Sequence, residues 1–184
     1  MNPQEFKRML QKKQSEINRF VNITGPKLVG KTAVDYFKHS FIRGRFNGNK
    51  WKAPQRFNEN GNTADEKYGT LRSATNELMN SITYSTEPGK VIVSSDKVYA
   101  RIHNYGGKIN VPVTDKMRKF AWAKHYEAIK DTDKKESKWK GLALTKKESL
   151  EINMPQRQFM GDSLGLERVL EYKLKQHLTK ILNN

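Results

Sequence analysis

Four histidines and nineteen carboxylates are the raw material for acid–base or metal chemistry in this 184-residue chain. Their spacing supports neither. His39, His103, His125 and His177 are scattered, with none of the short intervals that place two ligands on one metal. His125 and Glu127 lack the second histidine that a helical metalloprotease site requires. The acidic residues are interleaved with lysines, the pattern of a solvated surface, and no two stand out as an acid and base pair. Cysteine is absent, which excludes disulfide frameworks, thiolate metal sites and cysteine nucleophiles. No nucleophile elbow, Walker loop or dinucleotide fingerprint occurs. Gly106-Gly107 would cradle a phosphate only if a helix opened immediately behind it, but Lys108-Ile109-Asn110-Val111-Pro112 reads as extended. A structural turn, with glycine needed for positive φ or a close backbone approach, is the better reading. No catalytic, cofactor-binding or metal-ligating residue is assigned, and the expectation is a protein that is not an enzyme.

Positive charge is the remaining chemical resource. Lysine and arginine number 35 against 19 acids, giving a formal charge of +16 and a pI of about 9.9. Such a balance favours acidic partners, whether nucleic acid or another protein's acidic face. The densest stretch is 114–140. Lys116, Arg118, Lys119 and Lys124 fall on one predicted helix, followed by Lys134, Lys135, Lys138 and Lys140, with Trp122 and Trp139 nearby. Lysines interleaved with aromatics suit phosphate contact and base stacking. The plainer reading is a solvated helix whose tryptophans pack inward or meet a partner. Lys116, Arg118, Lys119, Lys134 and Lys135 are the partner-binding candidates. The tip from Asp131 to Lys140 is almost wholly polar, and the stretch is expected to contribute little burial.

The elements that position these residues read as one α+β domain. The length suffices for a real core, and eight Phe, seven Tyr and three Trp favour packing despite an apolar fraction of 35%. Asn2 caps a first helix whose stripe runs from Phe6 through Met9, Leu10, Ile17 and Phe20 to Val21. Thr24-Gly25-Pro26 stops it and starts a second helix, with Val29, Ala33, Phe37 and Phe41 at four-residue spacing. Residues 43–69 form a long loop rich in turn formers, pinned by Phe46 and Trp51. A short helix over 71–82 runs into a strand, and Glu87-Pro88-Gly89-Lys90 turns it into the next. Val98, Ala100 and Ile102 alternate with Tyr99, Arg101 and His103, so 98–107 is predicted as the third strand of a meander. Thr114 caps the basic helix. Leu142, Leu144, Leu150 and Ile152 around Lys146-Lys147-Glu148 suggest another hairpin. The last helix starts near Asp162-Ser163, with Leu166, Leu170, Leu174 and Leu178 as a core stripe or partly an oligomer contact. No internal repeat, signal-peptide core or membrane-length apolar run is evident, so the expectation is a soluble protein that stays in the cytoplasm where it is made.

Two segments carry a family resemblance. Val98-Tyr99-Ala100-Arg101-Ile102-His103-Asn104-Tyr105-Gly106-Gly107 resembles a "YA-x-IH-x-x-GG" motif. Met154-Pro155-Gln156-Arg157-Gln158-Phe159-Met160-Gly161 resembles a "P-x-R-x-F-x-G" turn. Both belong to the phage virion morphogenesis family, the tail-completion proteins of Mu-like phages. Trp51 resembles the family's "G-x-x-W" element. Thr75 to Ile82 resembles "TGELRNSI", with Asn76 where glycine is usual, and Val91 to Ser95 resembles "V-x-VGS", with Ser94 in the glycine position. Asn tolerates the left-handed backbone well enough to keep such a turn. Residues 113–150 resemble the family least and read as an insertion.

The resemblance implies a small α+β assembly protein acting in tail completion or at the head–tail junction, in the virion and, during assembly, in the host cytoplasm. It implies tail or neck and connector proteins as partners, and a ring of like subunits. The motif residues it marks as structural are Trp51, Tyr99, His103, Tyr105, Gly106, Gly107, Pro155, Arg157, Phe159 and Gly161. A nucleic-acid-binding role through the basic insertion is the alternative.

Overall fold

Asn2 begins helix α1 (Pro3–Arg19) with a reciprocal cap: its side chain accepts from the Gln4 amide, and Glu5 accepts from the Asn2 amide. This computed structural model describes residues 2–53, 68–130 and 137–183. The break expected at Thr24-Gly25-Pro26 does not separate two helices. The chain passes through one wide π-helical turn, Phe20–Thr24, into α2 (Gly25–Arg43). Pro26 has no N–H for the ordinary ladder. The wide turn absorbs this, with the Gly25 N–H bonding the Phe20 carbonyl. Gly44, left-handed, ends α2.

Strands β1 (Arg45–Phe46) and β2 (Asn49–Lys50) form a tight hairpin about Asn47-Gly48, both at positive φ (48° and 84°). Phe46 and Trp51 are buried, so they do pin this segment. The rest of the expected loop, residues 54–67 with the Asn58 to Asn62 run, lies outside the described residues. Asn76 is left-handed (φ 51°) ahead of α3 (Glu77–Asn80), as its place in the motif demands. Strands β3 (Ile82–Glu87) and β4 (Lys90–Ser95) pair antiparallel from Ile82↔Ser95 to Glu87↔Lys90 and pack on α2.

Two expectations fail here. Residues 98–107 are not a third strand: they hold a short helix, α4 (Ala100–Tyr105), so the described sheets are three separate antiparallel pairs and not a meander. Val98 is almost wholly exposed, while Ala100 and Asn104, one helical turn apart, are buried. The segment carries both a two-residue and a four-residue spacing, and the helical one wins because it buries both of these. The hairpin around Lys146-Lys147-Glu148 is also absent. Strand β5 (Gly107–Pro112) instead pairs with β6 (Ser149–Met154), from Gly107↔Met154 to Pro112↔Ser149. A strand needs its ladder satisfied, and β6 satisfies β5 across some forty residues.

Between these strands lie α5 (Asp115–Ile129), capped by the Thr114 hydroxyl accepting from the Met117 amide, and α6 (Lys138–Ala143), which takes up Leu142. The two helices pack chiefly on each other at the end of the β5–β6 ladder. Ala121, His125 and Ala143 are buried there. The basic stretch, expected to bury little, therefore has a small core of its own. Residues 131–136, including Lys134 and Lys135, lie outside the described residues.

Helix α7 (Leu164–Asn183) runs back along α2 and α1. Ser163 caps it and shares a hydrogen bond with Tyr36 (2.7 Å). Lys173 donates to the Thr32 hydroxyl, His177 stacks on Phe20, and Lys13 donates to the Ile181 carbonyl. The expected leucine stripe is only half-buried, and α7 has no fully buried residue. The main core is Ala33, Val34, Phe37 and Phe41 of α2 with Phe46, Trp51, Leu78, Ile82, Ala100 and Phe159.

Candidate interaction site

Residues 155–161 have no strand or helix to satisfy their backbone, and α4 does this for them. The Asn104 side-chain oxygen accepts from the amides of Phe159 (2.8 Å) and Met160 (3.0 Å), and its nitrogen donates to the Met160 carbonyl (3.0 Å). The Arg157 amide donates to the His103 carbonyl (2.8 Å). Two motifs fifty residues apart in the chain are thereby locked into one unit. Neither Asn104 nor its role was singled out in the sequence. The available signal was its place one helical turn after Ala100.

Gly106 fits this junction through conformation and space. Its φ of 70° and ψ of −172° lie in a region essentially limited to glycine. A side chain there would also meet the Gln156 backbone nitrogen at 2.8 Å. Gly106→Ala is expected to lose about 1–3 kcal/mol from backbone conformation alone, with the collision added. Urea denaturation checks this, and an unchanged midpoint would refute it.

The other side of the unit grips the hairpin. The Trp51 indole donates to the Gln158 carbonyl (2.7 Å), and the buried Arg157 donates through Nε to the Lys52 carbonyl (2.8 Å). Arginine's planar fork thus holds backbone, as its burial requires. Phe159 is fully buried, 4.9 Å between ring centroids from Phe41, which in turn meets the edge of Trp51. Pro155 is half-buried at the start of this segment, and Gly161, at φ 143°, closes it.

Turned outward from the same unit are Val98 (95% exposed), Tyr105 (68%), Tyr99 (37%) and Arg101. A shallow depression is lined by Val98, Arg101, Ile102, Tyr105 and Gly106. His103, expected on a strand's polar face, is half-buried and lies edge-on to Tyr99. Exposed tyrosine and arginine beside an apolar side chain, on a rigid base, are the residue types that dominate protein interfaces. The motif residues thus divide into framework (Trp51, Gly106, Arg157, Phe159) and surface (Tyr99, Tyr105).

The basic arm divides differently. Lys116 and Lys119 are exposed. Arg118 is not available as a partner-binding cation in the same sense, because its guanidinium donates to the carbonyls of Ala143 and Thr145 and closes the end of α6. Trp122 stacks on Tyr126, and Trp139 meets Phe120 edge-on, so these tryptophans pack within the arm. Among the described residues no group of three or more His, Asp or Glu could hold a metal ion. No helix among them is long and apolar enough to cross a membrane.

Residues 2–179 match the family described as the phage virion morphogenesis family. Comparison with curated proteins and with solved structures gives no match.

Proposed function

The chain belongs to the phage virion morphogenesis family, and from that premise we propose that it completes the tail or joins it to the head through protein–protein contacts, without catalysis. The observation that carries this reading is the outward face of α4 and of the turn that leads into it. Val98, Tyr105 and Arg101 are held in the open by a framework that spends Asn104, Gly106, Arg157 and Phe159 on immobilising them. A rigid, pre-formed patch loses little freedom on docking. Its partner is a tail, neck or connector protein, met in the host cytoplasm during assembly and kept in the virion.

A second surface supports self-association into a ring. Helix α1 buries no residue, and Phe6, Met9 and Leu10 are exposed beyond the point where Lys13 meets the end of α7. Such a stripe on a helix end suits a neighbouring subunit.

The test uses Val98→Asp combined with Tyr105→Ala. Both side chains are solvent-exposed, so the variant should keep the wild-type melting temperature to within a few degrees. In complementation of a phage lacking this gene it should give heads and tails that stay unjoined, or tails of abnormal end structure, by electron microscopy. Full complementation would refute the assigned face.

A further inference from the structure

The β1–β2 hairpin holds an arrangement that local energetics disfavour. Its register sets Arg45 directly opposite Lys50, and like charges facing across a strand pair destabilise it. The Trp51 amide bonds the Gly44 carbonyl (2.9 Å), which extends the ladder by one step. Alternation then puts Phe46 and Trp51 on one face, both buried. Arg45, Lys50 and, by the same alternation, Lys52 fall on the other, and all three are exposed. Arg43, the last residue of α2, adds a fourth exposed cation. No acidic residue occurs between Asp35 and Ala53. Among the described residues none of the four cations forms an ion pair.

The platform under these cations is fixed. Asn47-Gly48 makes a two-residue turn, Phe46 and Trp51 anchor the ribbon from below, and residues 157–158 bond the backbone of Lys52 and the Trp51 indole. We propose that this hairpin is a phosphate-backbone contact through which the protein rests on double-stranded DNA. Arginine and lysine make such contacts, the guanidinium fork matches phosphate, and a two-stranded ribbon is of a size to enter a DNA groove. The overall charge of +16 draws the molecule toward a polyanion. An acidic protein face is the poorer match. Protein interfaces are depleted in lysine and centre on apolar anchors, and the hairpin's own outward residues, Arg45, Lys50 and Lys52, are all cations. The contact goes beyond the assembly reading and does not depend on it, since the hairpin and the α4 face use different residues.

The experiment measures binding of the full-length protein to a labelled duplex of arbitrary sequence by fluorescence anisotropy, across a range of salt. Each phosphate contact contributes about 0.9 to the slope of log affinity against log salt. Arg45→Gln with Lys50→Gln should therefore lower that slope by about 1.8 and weaken binding about tenfold at physiological salt. Its melting temperature should equal or exceed the wild type, because a repulsive pair is gone. Lys146→Gln with Lys147→Gln makes the same charge change on exposed residues of the arm and should leave slope and affinity nearly unaltered. Equal losses in both variants would reduce the effect to net charge and overturn the site. Absence of duplex binding at physiological salt would also overturn it. Polyglutamate serves as the protein-like polyanion: if it binds as tightly as the duplex and is lost in the hairpin variant, the face is for an acidic protein and the DNA assignment falls.

Discussion

Replacing Asn104 with alanine is expected to remove at least about 3 kcal/mol of stability. The side chain is 3% exposed and satisfies two amides and one carbonyl of residues 159–160. Each buried polar group left without a partner costs about 1–3 kcal/mol, and a domain of this size holds only about 5–15 kcal/mol in total. The loss should appear as a lower urea midpoint with the slope unchanged. Asn104→Asp keeps the two amide bonds but sets a carboxylate against the Met160 carbonyl, so it should fall between wild type and alanine. A loss under about 1 kcal/mol in the alanine variant would mean that segment 155–161 is held chiefly by something else.

Phe159→Ala should be comparably severe, about 3–5 kcal/mol, the usual range for deleting a core aromatic. The ring is wholly buried against Phe41, and the Phe41–Trp51 contact leans on the same site. Phe159→Leu keeps much of the volume and should lose clearly less. Because Phe159 also donates its amide to Asn104, the double alanine variant should lose less than the two single losses added together. Strict additivity in thermal or urea denaturation would show that ring and amide act independently.

What could be read from the chain alone followed the range of the signal. Local devices were legible: the Asn2 and Thr114 caps, the Pro88-Gly89 turn, and the left-handed Asn76. Phe37 and Phe41 declared the buried face of α2. Residues 98–105 were misread because eight residues cannot separate a two-residue from a four-residue spacing, and the choice was made by what lies beneath, namely Phe159 and Met160. The β5–β6 pairing joins residues some forty positions apart, and nothing near Leu150 or Ile152 names Gly107–Pro112 as the partner. Within the site, resemblance marked Tyr105 but did not say that it faces water. Arg118 looked like its lysine neighbours until the end of α6 came into its reach. The charges of Arg45 and Lys50 were visible, but their opposition depends on the register of a hairpin.

The wide turn at Phe20–Thr24 sets the phase of the whole N-terminal rod. Residues 3–43 make about 60 Å of nearly continuous helix at 1.5 Å per residue. One extra residue in a turn rotates everything before it by about 100° relative to everything after. The apolar stripe of α1 is therefore out of step with that of α2, and only α2 aims its stripe at the domain core. With that extra residue just ahead of Pro26, one nearly continuous helix serves two addresses: inward for its own fold along one half, outward along the other.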